Sequence, residues 1–411
     1  MTKYSRISLT IICFLVAFTP LARGSVHLWA ITLMQIGVLI CIGLLLVENL
    51  HLKRPLMPDT PLTGPLIVVL ILAGISAIRS AHPALAAEGF LLLLTYAAVY
   101  FITQSVVRTR KEQRILVMVI IGTALFLAVF GLFKRFGLNP FAFWQYDDLS
   151  YSPTFLSSTF GNHNHLAGFL EMALPFLPAL LLTRSRTTGM VFFLVYLMLI
   201  LLTVQALSLS RGGWLATLVS LCFMAAVLLS QRRFGNKKLI LGIGTVTLVL
   251  AVIILAATPI VERIMTLTEQ DPAATMEGRL LAYAGSLDLI RDHFLTGTGP
   301  GTYAVAFHRY QPPGVGALYD HAHNDYLEFI SDIGIGFIPV LIWILFVFFK
   351  TGFQHQSHPS RQTRGFSLAC MTAVVAILVH SFGDFNLQIP SNAFLFTVIL
   401  AGVRTEPLNR S

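Results

Sequence analysis

Two short stretches concentrate the side chains that move protons: YDHAHNDYLEF at 319–329 and FGNHNHLAGF at 160–169. Each carries a His-x-His pair, and the first adds carboxylates and an asparagine. Three chemistries fit such residues. A neutral imidazole takes a proton from a hydroxyl near neutral pH. Two His-x-His pairs with an acid such as Asp325 can hold zinc. A histidine-rich polar loop can also simply cap the helices it enters.

Two arginines narrow the choice. Arg211 lies in LSLSRGGWLA (207–216) and Arg279 in MEGRLLAY (276–283). Taken singly, Arg211 reads as an interfacial anchor, Arg279 as the solvated face of a surface helix and His323 as a helix-entry residue. Taken jointly they suit one reaction. Guanidinium groups keep their charge and meet phosphate oxygens in pairs. They would hold a lipid pyrophosphate as leaving group while His323 deprotonates a sugar hydroxyl. Fixed positive charge then does what a metal ion does elsewhere. The zinc reading is the weaker, because the two clusters are far apart and no acid stands at a diagnostic spacing.

The elements that must position these residues are membrane helices. Of 411 residues, 55% are hydrophobic and 11% charged, against about 25% charged in a soluble domain. Apolar runs of roughly bilayer length recur at about 7–22, 26–47, 65–80, 88–106, 115–136, 165–183, 189–208, 213–230, 239–257, 333–351, 366–383 and 391–403. Each is expected to be a helix, since backbone groups in hydrocarbon must be satisfied within the segment. The first run lacks a small-residue cleavage pattern and reads as an uncleaved span.

The net charge of +9 does not mark a nucleic-acid binder. Most basic residues fall on one side of a twelve-span arrangement, which predicts cytoplasmic termini. Cys13, Cys41, Cys222 and Cys370 all lie in apolar runs and read as core residues with no disulfide or metal spacing.

Two outer segments are long, about 136–164 and 258–322, and loops of that length are usually functional. In the second, MEGRLLAYAGSLDLIRDH (276–293) places Leu280, Ala284, Leu287 and Ile290 at helical spacing, an amphipathic helix suited to the membrane surface. LTGTGPGTY (295–303) then forces a turn. Both histidine clusters face the same side and together form a candidate mouth. FAFWQYDD (141–148) either stacks on sugar rings or anchors at headgroup depth; the anchor is the reading carried forward.

Charges inside spans are functional hypotheses by default. Glu171 lies within one span. His380 and Asp384 have i, i+4 spacing, as do Glu328 and Asp332 beside His323. A proton-coupled transporter, the rival class, would use such a set. No internal repeat of the kind transporters show is present, and structural pairing or site support is the preferred reading. Asp384 or Glu328 would orient His323 or bind the acceptor.

STFGNHNHLAGFL, SLSRGGWLA, GRLLAYAGSLDLIRDHFLTGTGPGTY, HNDYLEFISDIGIGFI and HSFGDFNLQIPSNA resemble, in order and spacing, the signatures of the O-antigen ligase and O-antigen polymerase superfamily. The resemblance covers roughly 155–400. It implies an all-α membrane protein of the GT-C type, about twelve transmembrane helices in one domain over 1–411, with a periplasmic loop at 258–322. It implies a bacterial inner-membrane enzyme that moves a glycan from undecaprenyl pyrophosphate to an acceptor hydroxyl on the periplasmic face, by inversion, with no metal and no cofactor. The acceptor would be lipid A-core or, in the polymerase alternative, a growing glycan chain. Carried over by position, the family's essential arginines fall on Arg211 and Arg279. Its essential histidine falls on His323, which precedes Asn324. His163, His165, His321, Asn324 and Asp384 are the expected substrate-binding residues; His163 and His165 either line the groove or cap the sixth helix. Two departures stand out: Tyr283 replaces a tryptophan common in the family, and His321 is an extra histidine beside the assigned base.

Overall fold

The computed structural model of the chain describes residues 1–139, 141–144, 155–183, 187–231, 242, 244–245, 276–312 and 319–404. The helices needed here are α1 (Lys3–Leu21), α2 (Leu28–His51), α3 (Thr63–Arg79), α4 (Pro83–Val106), α5 (Arg110–Arg135), α6 (His163–Ala173), α7 (Phe176–Thr183), α8 (Thr188–Leu207), α9 (Arg211–Ser230), α10 (Met276–Asp292), α11 (Tyr303–Phe307), α12 (Asp325–Ile333), α13 (Phe337–His355), α14 (Arg361–His380) and α15 (Pro390–Leu400). Among the described residues nine helices are long and apolar enough to cross a membrane, with Thr63–Arg79 and Pro390–Leu400 as shorter apolar helices. The chain is an all-α, multi-pass membrane protein. Every predicted span except the ninth appears as a helix; of that one, 239–257, only residues 242 and 244–245 are among the described residues.

Local sequence explains the helix ends. Thr109 and Glu112 form a reciprocal capping box on α5. Ser210, Asn324 and Ser360 each accept backbone N–H groups at the starts of α9, α12 and α14, worth about 1 kcal/mol per cap. Pro175 separates α6 from α7 because it has no N–H to continue the ladder.

Burial sorts the spans. In the apolar 18-residue stretch of His163–Leu182, 94% of the residues are buried and in that of Arg361–His380 83%, against 28% in those of Leu28–His51 and Phe337–His355. The first two are therefore the centre of the bundle, and the others turn apolar faces outward. α14 packs against α6, α7 and α9. The mouth-facing ends of α6, α9 and α14 thus converge.

The segment after α10 is pinned to the early spans. Gly297, Gly299 and Gly301 all have positive φ (69°, 120° and 72°). A Cβ on Gly89 of α4 would lie 2.2 Å from the Pro300 carbonyl oxygen, so the turn presses on α4 at a site only glycine allows. Ser80 donates to the Thr298 carbonyl at 2.6 Å and Ser76 to that of Asp332 at 2.5 Å. The predicted turn at 295–303 is present, and α3 and α4 are its platform.

Two predicted elements differ in detail. The span expected from 333 begins at Phe337, and a separate polar helix, α12, precedes it. Gly334 turns between them with φ 92°. In α10, Leu280, Ala284 and Leu287 are exposed as a surface-lying helix requires, but Ile290 is buried with Ala282 and Leu289. The inner face of α10 packs on α12.

Candidate functional site

The site is organised by the turn at 381–385. The i, i+4 spacing of His380 and Asp384 predicts a shared helix face; instead α14 ends at His380 and Asp384 lies beyond it. The backbone carbonyls freed by this ending become acceptors. Arg279 donates from Nη1 to the Gly383 carbonyl at 2.8 Å. Tyr283, one helical turn on, donates from its hydroxyl toward the carbonyls of His323 (3.0 Å) and Phe382 (3.1 Å). Asn324 caps α12 through Oδ1 and donates from Nδ2 to Phe382 at 3.2 Å. One turn thus ties α10, α12 and α14 together.

Asp325 completes the tie. Ser381 donates to its carboxylate at 2.6 Å and the Leu387 N–H at 3.1 Å. Its carboxylate is thus already occupied within the fold. No group of three or more His, Cys, Asp or Glu side chains among the described residues is arranged to share a metal ion.

The two histidines of the 321–323 segment sit in different surroundings. His321 Nδ1 is 2.7 Å from Glu328 Oε1, and the Ala322 N–H donates to Oε2 at 3.0 Å. Glu328 is 3% exposed and the His321 side chain 34%. Burial alone would lower the basicity of His321, but the Glu328 carboxylate, with Asp320 and Asp325 adding, raises its pKa above the ordinary value. His323 has φ 50°, a left-handed conformation histidine adopts more readily than most side chains. Its Nδ1 is buried with no hydrogen-bond partner among the described residues. Burial lowers its pKa, and Arg279 and His321 lower it further against the pull of Asp384. Both rings pack on Phe385, His321 stacked at 4.1 Å and His323 edge-on at 5.0 Å. Neither Asp384 nor Glu328 hydrogen-bonds to His323, so the expected orienting contact is absent among the described residues.

Asp384 is gripped from the other side. Asn164 donates to its Oδ2, the Phe385 N–H reaches Oδ1 at 2.8 Å, and His165 Nε2 stands 3.9 Å from Oδ1. Burial would raise its pKa, but the surrounding imidazoles and the Arg279 guanidinium hold it below the ordinary carboxylate value. The helix cap of α6 is Asn162, not a histidine. His165 is buried with its ring edge-on to Phe385 at 4.9 Å, while His163 stacks on Phe155 at 4.2 Å.

Arg211 opens α9 and is exposed. A Cβ on the next residue, Gly212, would lie 2.8 Å from the His380 ring. The arginine's turn is therefore fixed against the end of α14, three residues before Gly383, whose carbonyl Arg279 bonds. His380 is in turn held 3.1 Å from Glu171.

The fold thus brings Arg279, His321, His323, Asn324 and Asp384 around one turn, with the backbone next to Arg211 packed on the His380 ring at its start, His165 beside Asp384 and His163 on Phe155. Gly383, Phe385 and Ser381 were not singled out in the sequence. They carry carbonyl, aromatic and hydroxyl contacts whose partners lie far along the chain, so no local pattern marks them. Residues 196–338 match the family model described as O-antigen ligase. No curated protein matches the chain.

Proposed function

We propose, from the premise that this chain belongs to the O-antigen ligase and polymerase superfamily, that it transfers a glycan from undecaprenyl pyrophosphate to an acceptor hydroxyl at the periplasmic face of the inner membrane. The observation that carries this reading is the convergence of Arg279, the Arg211 turn and the 321–324 segment on residues 380–385. Among the described residues the buried Nε of Arg279 has no hydrogen-bond partner beside the bonded Nη1, a donor left for a phosphate oxygen. Arg211 brings a second permanent charge. Together they would neutralise the leaving pyrophosphate as the anomeric C–O bond breaks. The acceptor oxygen attacks from the opposite face, and configuration inverts. Its proton goes to an imidazole of the 321–323 segment; the resemblance assigns His323.

An apolar groove of about 210 Å³ supports a lipid-linked substrate. It runs from Asp325 and Tyr326 past Phe329 and Leu341 toward Tyr96 and Leu400, between α3, α4, α12, α13 and α15. An isoprenoid tail suits such a wall.

The test is a surface-glycan gel from cells lacking the gene, complemented with wild type, Arg279→Ala or His323→Ala. Loss of the long-chain ladder with accumulated long lipid-linked glycan means ligation to lipid A-core. Products limited to single repeats mean chain polymerisation. Point variants that restore wild-type glycan would overturn the site, and a deletion without effect on surface glycan would overturn the function. Transfer should also persist in EDTA; a loss that zinc reverses would refute the metal-independent reading.

A further inference from the structure

The active imidazole needs a partner that fixes its tautomer. A general base is oriented by a third group, which commits one ring nitrogen and leaves the other to accept the proton. Among the described residues His323 has no such group: its Nδ1 is buried without a partner, and no carboxylate hydrogen-bonds to it. His321 has one. Glu328 Oε1 lies 2.7 Å from His321 Nδ1, and Oε2 is held by the Ala322 N–H. With the carboxylate anchored at both oxygens, the imidazole carries its proton on Nδ1, and Nε2 is the lone-pair nitrogen. Stacking on Phe385 at 4.1 Å and 13° fixes the ring plane. At 34% exposed, the ring is also open to the mouth, while the carboxylate behind it is sealed at 3%.

We propose that His321, oriented by Glu328, is the general base for the acceptor hydroxyl, and that His323 serves as a neutral hydrogen-bonding group beside it. The proposal rests on the transfer reaction given above. In the step, the acceptor O–H proton moves to His321 Nε2 as the oxygen bonds to the anomeric carbon. The anomeric bond to pyrophosphate breaks, and its electron pair leaves with the phosphate. Glu328 stabilises the imidazolium that forms and does not itself take the proton.

The charges around the two rings make the assignment measurable. Glu328, Asp320 and Asp325 act on His321 to raise its pKa from 6.5, while burial, Arg279 and His321 itself act on His323 to lower its own, opposed by Asp384 and Glu328. A base works only when neutral, so activity falls as pH drops through its pKa. If His321 is the base, the acidic limb of kcat/KM lies above pH 6.5; if His323 is, it lies below.

The experiment uses the full chain in lipid nanodiscs with a short polyprenyl-pyrophosphate oligosaccharide. Lipid A-core and the donor itself are offered as acceptors, and released polyprenyl pyrophosphate is the readout. The expected result is an acidic limb above 6.5 in wild type. Glu328→Gln, close in shape but uncharged, should move that limb to lower pH and reduce kcat roughly 10- to 100-fold with little change in donor KM. His321→Ala should lose about 100-fold or more. A wild-type limb below 6.5, or a Glu328→Gln limb that stays in place, overturns the assignment. A kcat loss in Glu328→Gln with no shift of the limb assigns a purely structural role and equally overturns it. A wild-type protein that transfers to neither acceptor refutes the underlying reaction instead, which separates the two failures.

Discussion

Among the described residues a glutamate meets an imidazole at hydrogen-bond distance in two places, and the two pairs differ in access. Glu171 and His380 meet at 3.1 Å with side chains 0% and 1% exposed. The other ring nitrogen of His380 faces the Ser210 hydroxyl at 3.4 Å, and the Gly212 backbone closes over the ring. Glu328 and His321 meet at 2.7 Å, but here the imidazole is open and its second nitrogen has no hydrogen-bond partner among the described residues. The sealed pair joins α6, α9 and α14 and fixes the turn that presents Arg211. The open pair stands at the mouth. Composition alone does not distinguish a scaffold from a reactive group; the second nitrogen does.

Arg279→Ala should reduce transfer about 100- to 1,000-fold, as loss of a transition-state charge donor does. Arg279→Lys should be nearly as damaging, because a point charge cannot bond Gly383 and a phosphate with the same fork. Initial rates with the lipid-linked donor read both, and full activity in the lysine variant would count against the phosphate role.

His380→Ala tests the sealed pair. It strands Glu171 in the bundle centre, and removal of one partner of a buried pair costs about 3–5 kcal/mol. The expected outcome is a marked drop in the thermal unfolding temperature in detergent. An unchanged unfolding temperature combined with a shifted pH profile would make this pair, too, a chemical one.

A smaller effect is expected from Gly212→Ala. The added carbon would press on the His380 ring, displacing Arg211 and slowing transfer about tenfold, on the order of a modest misplacement of a charge clamp. An unaffected rate would mean that the Arg211 turn has more freedom than its packing indicates.

Tyr283→Phe should have the smallest effect. It removes one hydroxyl that reaches two carbonyls, a net loss of about 1 kcal/mol. Thermal unfolding should register it, with transfer reduced only severalfold. Tyr283→Trp supplies one donor N–H and should recover part of the loss.

The sequence reading succeeded where the signal is local. Apolar run length placed the spans, and the glycines of LTGTGPGTY announced their turn. Residue type and position also suggest Arg211, Arg279 and His323 as one set. It failed at His380 and Asp384, where i, i+4 spacing implies contact only if the helix continues. The chain turns at Ser381 instead, and each residue finds a partner from α6: Glu171 for His380, Asn164 for Asp384. It placed the base on His323 because Asn324 follows it, and left His321, followed by Ala322, as an extra histidine whose partner the sequence does not show.

By itself, then, the sequence determined that this is a helical membrane protein and which side chains are available for phosphate and proton chemistry. Both follow from properties that sum along the chain: hydropathy over a span, the periodicity of a helix face and residue type. Only the tertiary structure decided which groups meet. Arg279 reaches a carbonyl 104 residues away and His380 a carboxylate 209 residues away. Even the close pair, His321 and Glu328, depends on α12 folding back beneath its own entry turn. Hydrogen bonds act over about 3 Å of space, and sequence separation carries no information about that distance until the backbone has turned.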